Sequence, residues 1–137
     1  MDSVQKSAVL ELLARSAYAL DERQIDMLTD TFSDGANLVI DIAGVDGEMV
    51  FQGRDAILRL MTDSMEEQKD QRRHVVTNMF FEREDDTRVS VVSNVTITSV
   101  ENAAIRLVTT GLYRDEVILE GNQWRIGSRR IELDMAY

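Results

Sequence analysis

The chain has 137 residues, enough for one compact domain (1–137) with a real core, and its 44% hydrophobic and 29% charged residues are those of an ordinary globular protein. No cysteine occurs, which excludes disulfides, thiolate metal sites and cysteine nucleophiles. The net charge of −10, from 15 basic and 25 acidic residues, argues against a nucleic-acid partner, because phosphate binding needs a concentrated basic surface. No apolar run approaches the roughly 18–20 residues that cross a bilayer, so no membrane partner is expected. The start, Met1-Asp2-Ser3-Val4-Gln5-Lys6, lacks the basic-then-apolar pattern of a secretory signal, and a cytoplasmic location is the expectation.

The first third reads helical. Val9, Leu13, Ala17 and Leu20 recur at helical spacing, Leu10, Ala14 and Tyr18 extend that face, and Ser3 is the candidate N-cap. Asp21 restarts the chain, since Asp21-Glu22-Arg23-Gln24 sets a capping oxygen three residues before Gln, close to a capping box. A short helix to about Phe32 follows, with Ile25, Leu28 and Phe32 inward, and Ser33-Asp34-Gly35 stops it. Ala36 to Ile42 reads as a strand, Gly44 to Gly47 as a turn and Met49 to Gln52 as a short return strand. Gly53-Arg54-Asp55 leads into a third helix, Asp55 to Gln68, with the stripe Ile57, Leu60, Met61 and Met65. Four long strands complete the chain, about Arg72–Glu84, Arg88–Val100, Ala104–Leu119 and Gln123–Leu133. Their breaks, Glu84-Asp85-Asp86, Glu101-Asn102 and Glu120-Gly121-Asn122, are short and polar, as hairpin turns should be. Helices first and an antiparallel meander last define the α+β class.

His74 is the only histidine, and alternation through Arg73-His74-Val75-Val76-Thr77-Asn78 puts His74 and Asn78 on one strand face. Histidine is the side chain whose ordinary pKa lies nearest neutrality, so His74 is the candidate for proton transfer, or else an interior histidine that shapes a pocket. Asn94, Thr96 and Thr98 alternate as a polar face opposite Val91, Val95 and Ile97, ordinary for a sheet with one side in water or against a partner. One histidine cannot supply a three-histidine zinc site or a facial triad, and no nucleophile elbow or phosphate loop occurs. Chemistry without a metal or cofactor is the consistent expectation.

Six local sequences, in this order, resemble the SnoaL-like branch of the nuclear transport factor 2-like superfamily. They are Tyr18-Ala19-Leu20-Asp21, Phe32-Ser33-Asp34-Gly35-Ala36 and Phe51-Gln52-Gly53-Arg54-Asp55-Ala56-Ile57, then His74-Val75-Val76-Thr77-Asn78, Gly111-Leu112-Tyr113-Arg114-Asp115 and Trp124-Arg125-Ile126-Gly127-Ser128-Arg129. The resemblance covers nearly the whole chain. It implies a cone-shaped, curved antiparallel or mixed sheet wrapped around three N-terminal helices, an α+β barrel with a deep pocket. The superfamily includes polyketide cyclases, dehydratases, a dehydrochlorinase, ketosteroid isomerases, epoxide hydrolases and non-catalytic subunits of ring-hydroxylating dioxygenases, so fold alone does not choose the activity.

Members that eliminate water or chloride pair an aspartate after the first helix with a histidine on the long strand, and Asp21 and His74 match those positions. The run Leu20-Asp21-Glu22-Arg23-Gln24 is similar to the dehydrochlorinase type. The resemblance thus implies a cofactor-free lyase, dehydratase or cyclase acting on a hydrophobic, oxygenated small molecule. His74 would be the general base and Asp21 its orienting partner, although Asp21 has a competing role as a helix cap. Tyr18 and Asn78 would hold the substrate oxygen, with an aromatic core place for Tyr18 and a strand-to-strand bond for Asn78 as the alternatives. Val76, Phe80 and Leu112 would line the cone, and Trp124 would pack as core or pocket wall. Arg129 would bind an anionic group or form a surface ion pair. Two rival readings stay open: a binding or assembly subunit similar to the dioxygenase small subunits, and an isomerase with Asp41 as base. The second lacks the Asp-Pro pair of that group, since Ile42 follows Asp41. A homodimer or homotrimer through the open sheet face is also expected.

Overall fold

Asp2, one residue before the predicted cap, starts the first helix. Its carboxylate accepts from the Gln5 backbone N–H at 2.8 Å, and the Gln5 side chain accepts from the Asp2 N–H at 3.1 Å. In this computed structural model, which describes residues 1–137, α1 spans Ser3–Asp21 and buries Val9, Leu12, Leu13, Ser16 and Ala19. Val9 and Leu13 of the predicted stripe are thus buried, and Leu20 packs against the same core, but the predicted extension of that face is not buried. Leu10, Ala14 and Tyr18 lie across the helix from the buried stripe and are exposed. The second helix, α2 (Ile25–Thr31), has Gln24 at its N-cap and no side-chain capping bond, so the cap expected from Asp21 is not made. Leu28 and Phe32 point inward, whereas Ile25 is exposed. Ser33-Asp34-Gly35 does not end an element by itself, because the chain passes straight from α2 into β1 (Phe32–Ile42).

β2 (Met49–Gln52) folds back antiparallel on β1, and α3 (Arg54–Glu67) follows with Ile57 and Met61 buried. β3 (Gln71–Glu84), β4 (Arg88–Glu101), β5 (Ala104–Glu120) and β6 (Gln123–Leu133) form the antiparallel meander. The six strands lie in the order β2-β1-β6-β5-β4-β3, with β1 parallel to β6. The class is therefore α+β with a mixed sheet. It is not closed into a barrel, since β2 and β3 are free edges. No helix is long and apolar enough to cross a membrane.

Two apolar clusters occupy the concave face. The larger one joins α1, α2 and α3 to β1, β6 and the adjoining halves of β4 and β5, with Leu13, Leu28, Phe32, Leu38, Ile57 and Ile126 among its best-buried members. The smaller one, Val95, Ile97, Val108 and Tyr113, lies at the other end of β4 and β5, with Val76 and Ile131 against it. Gly111 lets β5 and β6 approach closely, because a Cβ there would sit 2.2 Å from the Glu132 carbonyl oxygen. A bulge reshapes β3: its register against β4 slips between Thr77 and Phe80, where Asn78 takes φ +54°. Arg72, His74 and Val76 are the less exposed positions before the bulge, and Met79 and Phe81 after it. The slip changes which parity faces the core.

Candidate functional site

Between the two clusters, α1, α3 and the concave sheet line a cavity that opens at one end. Eleven of its eighteen lining residues are hydrophobic, so it suits a ligand with an apolar body held by a few polar groups. Met61 and Met65 of α3, Leu38 and Ile40 of β1, and Ile97 of β4 supply much of that wall.

His74 lies on this wall, as does Asp21, the last residue of α1. The Asp21 carboxylate grips the histidine at two points: Oδ1 lies 2.6 Å from ring Nδ1, and Oδ2 accepts from the His74 backbone N–H at 2.9 Å. The Gln71 side-chain amide donates to the Asp21 carbonyl at 3.0 Å and closes the junction between α1 and β3. The two side chains are only 10% and 6% exposed, so little water competes for these bonds. An ionised carboxylate only accepts, so the neutral imidazole must carry its proton on Nδ1. Nε2 is then an unprotonated acceptor without a protein partner. This geometry can take a proton from a ligand and stabilise the imidazolium that results.

Tyr113 of β5 is a second polar group on the same wall, 4% exposed. Burial pushes its hydroxyl pKa well up, and the nearby Arg129 charge opposes this only in part. The hydroxyl therefore stays protonated, with no protein acceptor, as a hydrogen-bond donor. Arg129 is buried beside it, its guanidinium carbon 4.2 Å from the Tyr113 ring centre. Asp115 binds that guanidinium at two points, 2.7 Å to Nε and 3.1 Å to Nη2, and Nη1 donates to the Ser16 hydroxyl at 3.4 Å. Burial works against the Arg129 charge, but the Asp115 carboxylate outweighs it and raises the pKa. The expected surface ion pair is thus an interior one, because Asp115 and Arg129 are directly opposite in the β5–β6 register and both face inward.

Of the predicted site residues, Asp21, His74 and Arg129 reach the cavity wall. Tyr18 does not: two residues from buried Ser16, it lies on the outer side of α1 and is 54% exposed. Asn78 and Phe80 fall at and after the β3 bulge and are exposed. Val76 packs behind the wall in the smaller cluster. Leu112 alternates with Tyr113, so its side chain leaves by the other face. Trp124 is core in the larger cluster and lies away from the cavity. Asp41 alternates with inward Ile40 and meets Arg130 at 3.3 Å on the outer side, which removes the geometric basis for Asp41 as a base. No group of three His, Cys, Asp or Glu side chains converges to hold a metal ion.

Tyr113, Arg72 and Tyr137 are lining residues that the sequence did not single out. For Tyr113 the signal was present, since Tyr113, Asp115 and Val117 share one parity of the strand.

Several solved structures are similar to this chain throughout. Aln2 from a Streptomyces species is 25% identical, with a TM-score of 0.82 over 96% of this chain and 92% of that one. A protein of unknown function with a cystatin-like fold from Nostoc punctiforme is 19% identical, with a TM-score of 0.82 over 98% and 94%. A chain from Novosphingobium aromaticivorans, assigned as the beta subunit of an aromatic-ring-hydroxylating dioxygenase, is 18% identical, with a TM-score of 0.82 over 98% and 92%. These likenesses speak for the fold. No curated protein matches the chain. The model of the SnoaL-like domain family matches residues 3–130, and the chain belongs to that family.

Proposed function

We propose that this chain is a cofactor-free acid–base enzyme, a lyase or dehydratase or a cyclase, acting on a hydrophobic, oxygenated small molecule. The observation that carries the reading is the two-point grip of Asp21 on His74 at the wall of an apolar cavity. In an elimination, His74 Nε2 takes the proton from a carbon next to a carbonyl, and the C–H electron pair passes into an enolate. Tyr113 donates to the enolate oxygen as its charge grows, which replaces the roles expected of Tyr18 and Asn78. The imidazolium, steadied by Asp21, returns its proton to the departing hydroxyl at the β-carbon. The C–O bond breaks, and water leaves behind a carbon–carbon double bond. In a ring closure the same enolate carbon attacks a second carbonyl of the substrate, and the proton goes to the new alkoxide.

The test is a panel of apolar β-hydroxy ketones in D₂O, followed by exchange of the proton next to the carbonyl and by enone absorbance. The native protein should exchange and dehydrate at least one member, and His74→Ala should slow it by about 10²–10⁴-fold. Equal rates in the two proteins would sink the reading. A binding or assembly subunit is the second reading. Its support is the exposed apolar side chains on the outer face of the meander, Ile105, Leu107, Val75 and Phe80 among Thr96 and Thr98, together with the likeness to a dioxygenase beta subunit. Co-purification with an unlike subunit would favour it, whereas a self-associated dimer or trimer on gel filtration would fit the enzyme.

A further inference from the structure

The mouth of the cavity differs from its floor. Arg72, at the start of β3, lines both the cavity and the shallow groove outside it, although its side chain is only 16% exposed. Its Nε donates to Asp70 Oδ2 at 3.1 Å, and that same oxygen accepts from the Ser99 hydroxyl. Asp70 is itself buried, and the Ser99 bond, followed by Arg72, holds its carboxyl below the usual carboxylate range. The Tyr137 ring centre lies 5.1 Å from the guanidinium carbon. These contacts occupy the Nε edge and one face of the guanidinium plane. The two terminal nitrogens, Nη1 and Nη2, are left without a protein acceptor.

Arg23 brings a second positive charge to the same rim, where its Nη2 donates to the carbonyls of Gln68 and Asp70 at 3.2 and 3.4 Å. Of the three arginines in the lining, Arg129 is filled by Asp115 and Ser16 and Arg23 donates to two carbonyls, which leaves the Arg72 fork and the Tyr113 hydroxyl as the unfilled donors. Both Asp21 oxygens already accept from His74. Unfilled donors therefore face the cavity and the charged acceptors are filled, so a ligand must bring acceptors of its own.

We propose that Arg72 anchors a carboxylate of the ligand: its Nη1–Nη2 fork takes the two oxygens at the mouth while the apolar body lies against Met61, Ile97 and His74. A planar guanidinium matches a carboxylate at two points, and the tie to Asp70 and the Tyr137 ring fix its plane in advance. Arg72 and His74 are two residues apart on one strand face, about 7 Å along the backbone, so a single ligand spans anchor and base. The substrate class is then an apolar carboxylic acid whose reacting carbon lies beyond the carbon that bears the carboxylate. This rests on the reading of the cavity as a small-molecule site.

Binding of 2-naphthylacetic acid and of its methyl ester to the full chain at pH 7, measured by calorimetry, tests the assignment. The acid should bind about 10–100-fold more tightly than the ester, as expected for charge-assisted bonds at one fork. Arg72→Met should abolish that preference. Arg72→Lys keeps a charge beside Asp70 but loses the fork, and should retain only a few-fold preference. Equal binding of acid and ester to the native protein overturns the carboxylate anchor alone and leaves the pocket reading intact. An undiminished preference in either variant also overturns it, and moves the anchor to Arg23 or Arg129. Failure of the native protein to bind either probe overturns the anchor and the small-molecule reading together.

Discussion

Asp21→Asn isolates the orienting role of the carboxylate, because it exchanges one accepting oxygen for a donating amide with almost no change of volume. In the native protein one oxygen accepts from His74 Nδ1 at 2.6 Å and the other from the His74 backbone N–H at 2.9 Å. Asparagine can serve only one of these as an acceptor. If its oxygen turned to the ring, its amide would face the backbone N–H, donor against donor, at a cost of about 1–3 kcal/mol for a buried group left unsatisfied. The other orientation avoids this cost. Its amide then donates to Nδ1, the imidazole proton moves to Nε2, and the nitrogen that faces the cavity no longer accepts.

Turnover should therefore fall by about 10²–10⁴-fold, the whole worth of a general base. Loss of one charge-assisted bond should cost about 1.5–3 kcal/mol, or about 5–10 °C in Tm for a chain of this length. The chain's single histidine makes the tautomer directly readable, since selective ¹⁵N-histidine labelling yields one pair of ring nitrogens. At a pH where the ring is neutral, the native protein should show a protonated Nδ1 and an unprotonated Nε2, and Asp21→Asn should show the reverse. In the double variant with His74→Ala, the Asp21 change should cost no further activity, since the two act as one unit. A native ring protonated on Nε2, or an Asp21→Asn protein with native tautomer and native turnover, would refute the reasoning.

Tyr113→Phe removes the proposed donor and should lower turnover by about 10²–10³-fold. Because burial raises the Tyr113 pKa in the fold, the stability linked to its neutral form is complete below the ordinary value of 10.0 and is lost as pH rises above it. Tyrosine absorbance should show one ring ionising only with unfolding, and that alkaline loss should shrink in Tyr113→Phe. Asp115→Asn leaves the buried Arg129 charge uncompensated; it should cost about 3–5 kcal/mol, lowering Tm by about 10–17 °C on a thermal melt. Gly111→Ala drives a Cβ to within 2.2 Å of the Glu132 carbonyl oxygen, so β5 and β6 must separate and soluble folded protein should be lost. The Asp70 carboxyl is lowered in the fold, by the Ser99 bond first and Arg72 after it, so its contribution is present above 3.8 and lost as pH falls below it. Asp70→Asn should therefore flatten the acid limb of the stability curve measured by denaturant titration.

The strands of the meander were legible because each is long, alternating and bounded by a polar break, and all four were placed within one residue of their ends. The parallel pairing of β1 with β6 was not legible, because strand-local patterns carry no information about a partner ninety residues away. The extension of the α1 face beyond Val9, Leu13 and Leu20 was misread for a related reason. Leu10, Ala14 and Tyr18 form as good an apolar row as Leu12, Ser16 and Ala19, and only the position of the sheet decides which row is buried. Burial of a serine on that face is explained by Arg129, whose guanidinium donates to it from β6.

The cavity wall shows most clearly where local reasoning ends. Before the bulge the period of two puts Arg72, His74 and Val76 on the less exposed face, and His74 meets Asp21 across fifty-three positions of sequence. Past it, one inserted residue reverses the parity, so Phe81 packs inward while the predicted Phe80 and Asn78 face out. Asparagine is among the residues that best tolerate the left-handed backbone a bulge requires, and Asn78, the only asparagine in this strand, takes it. The side chain singled out for substrate binding thus has a backbone role instead. It bends β3 so that its first half faces the cavity while its second half packs on α1. In the proposed reaction the donor expected at Asn78 comes instead from β5, where Tyr113, held beside Arg129 and Asp115, lies on the same cavity wall as His74.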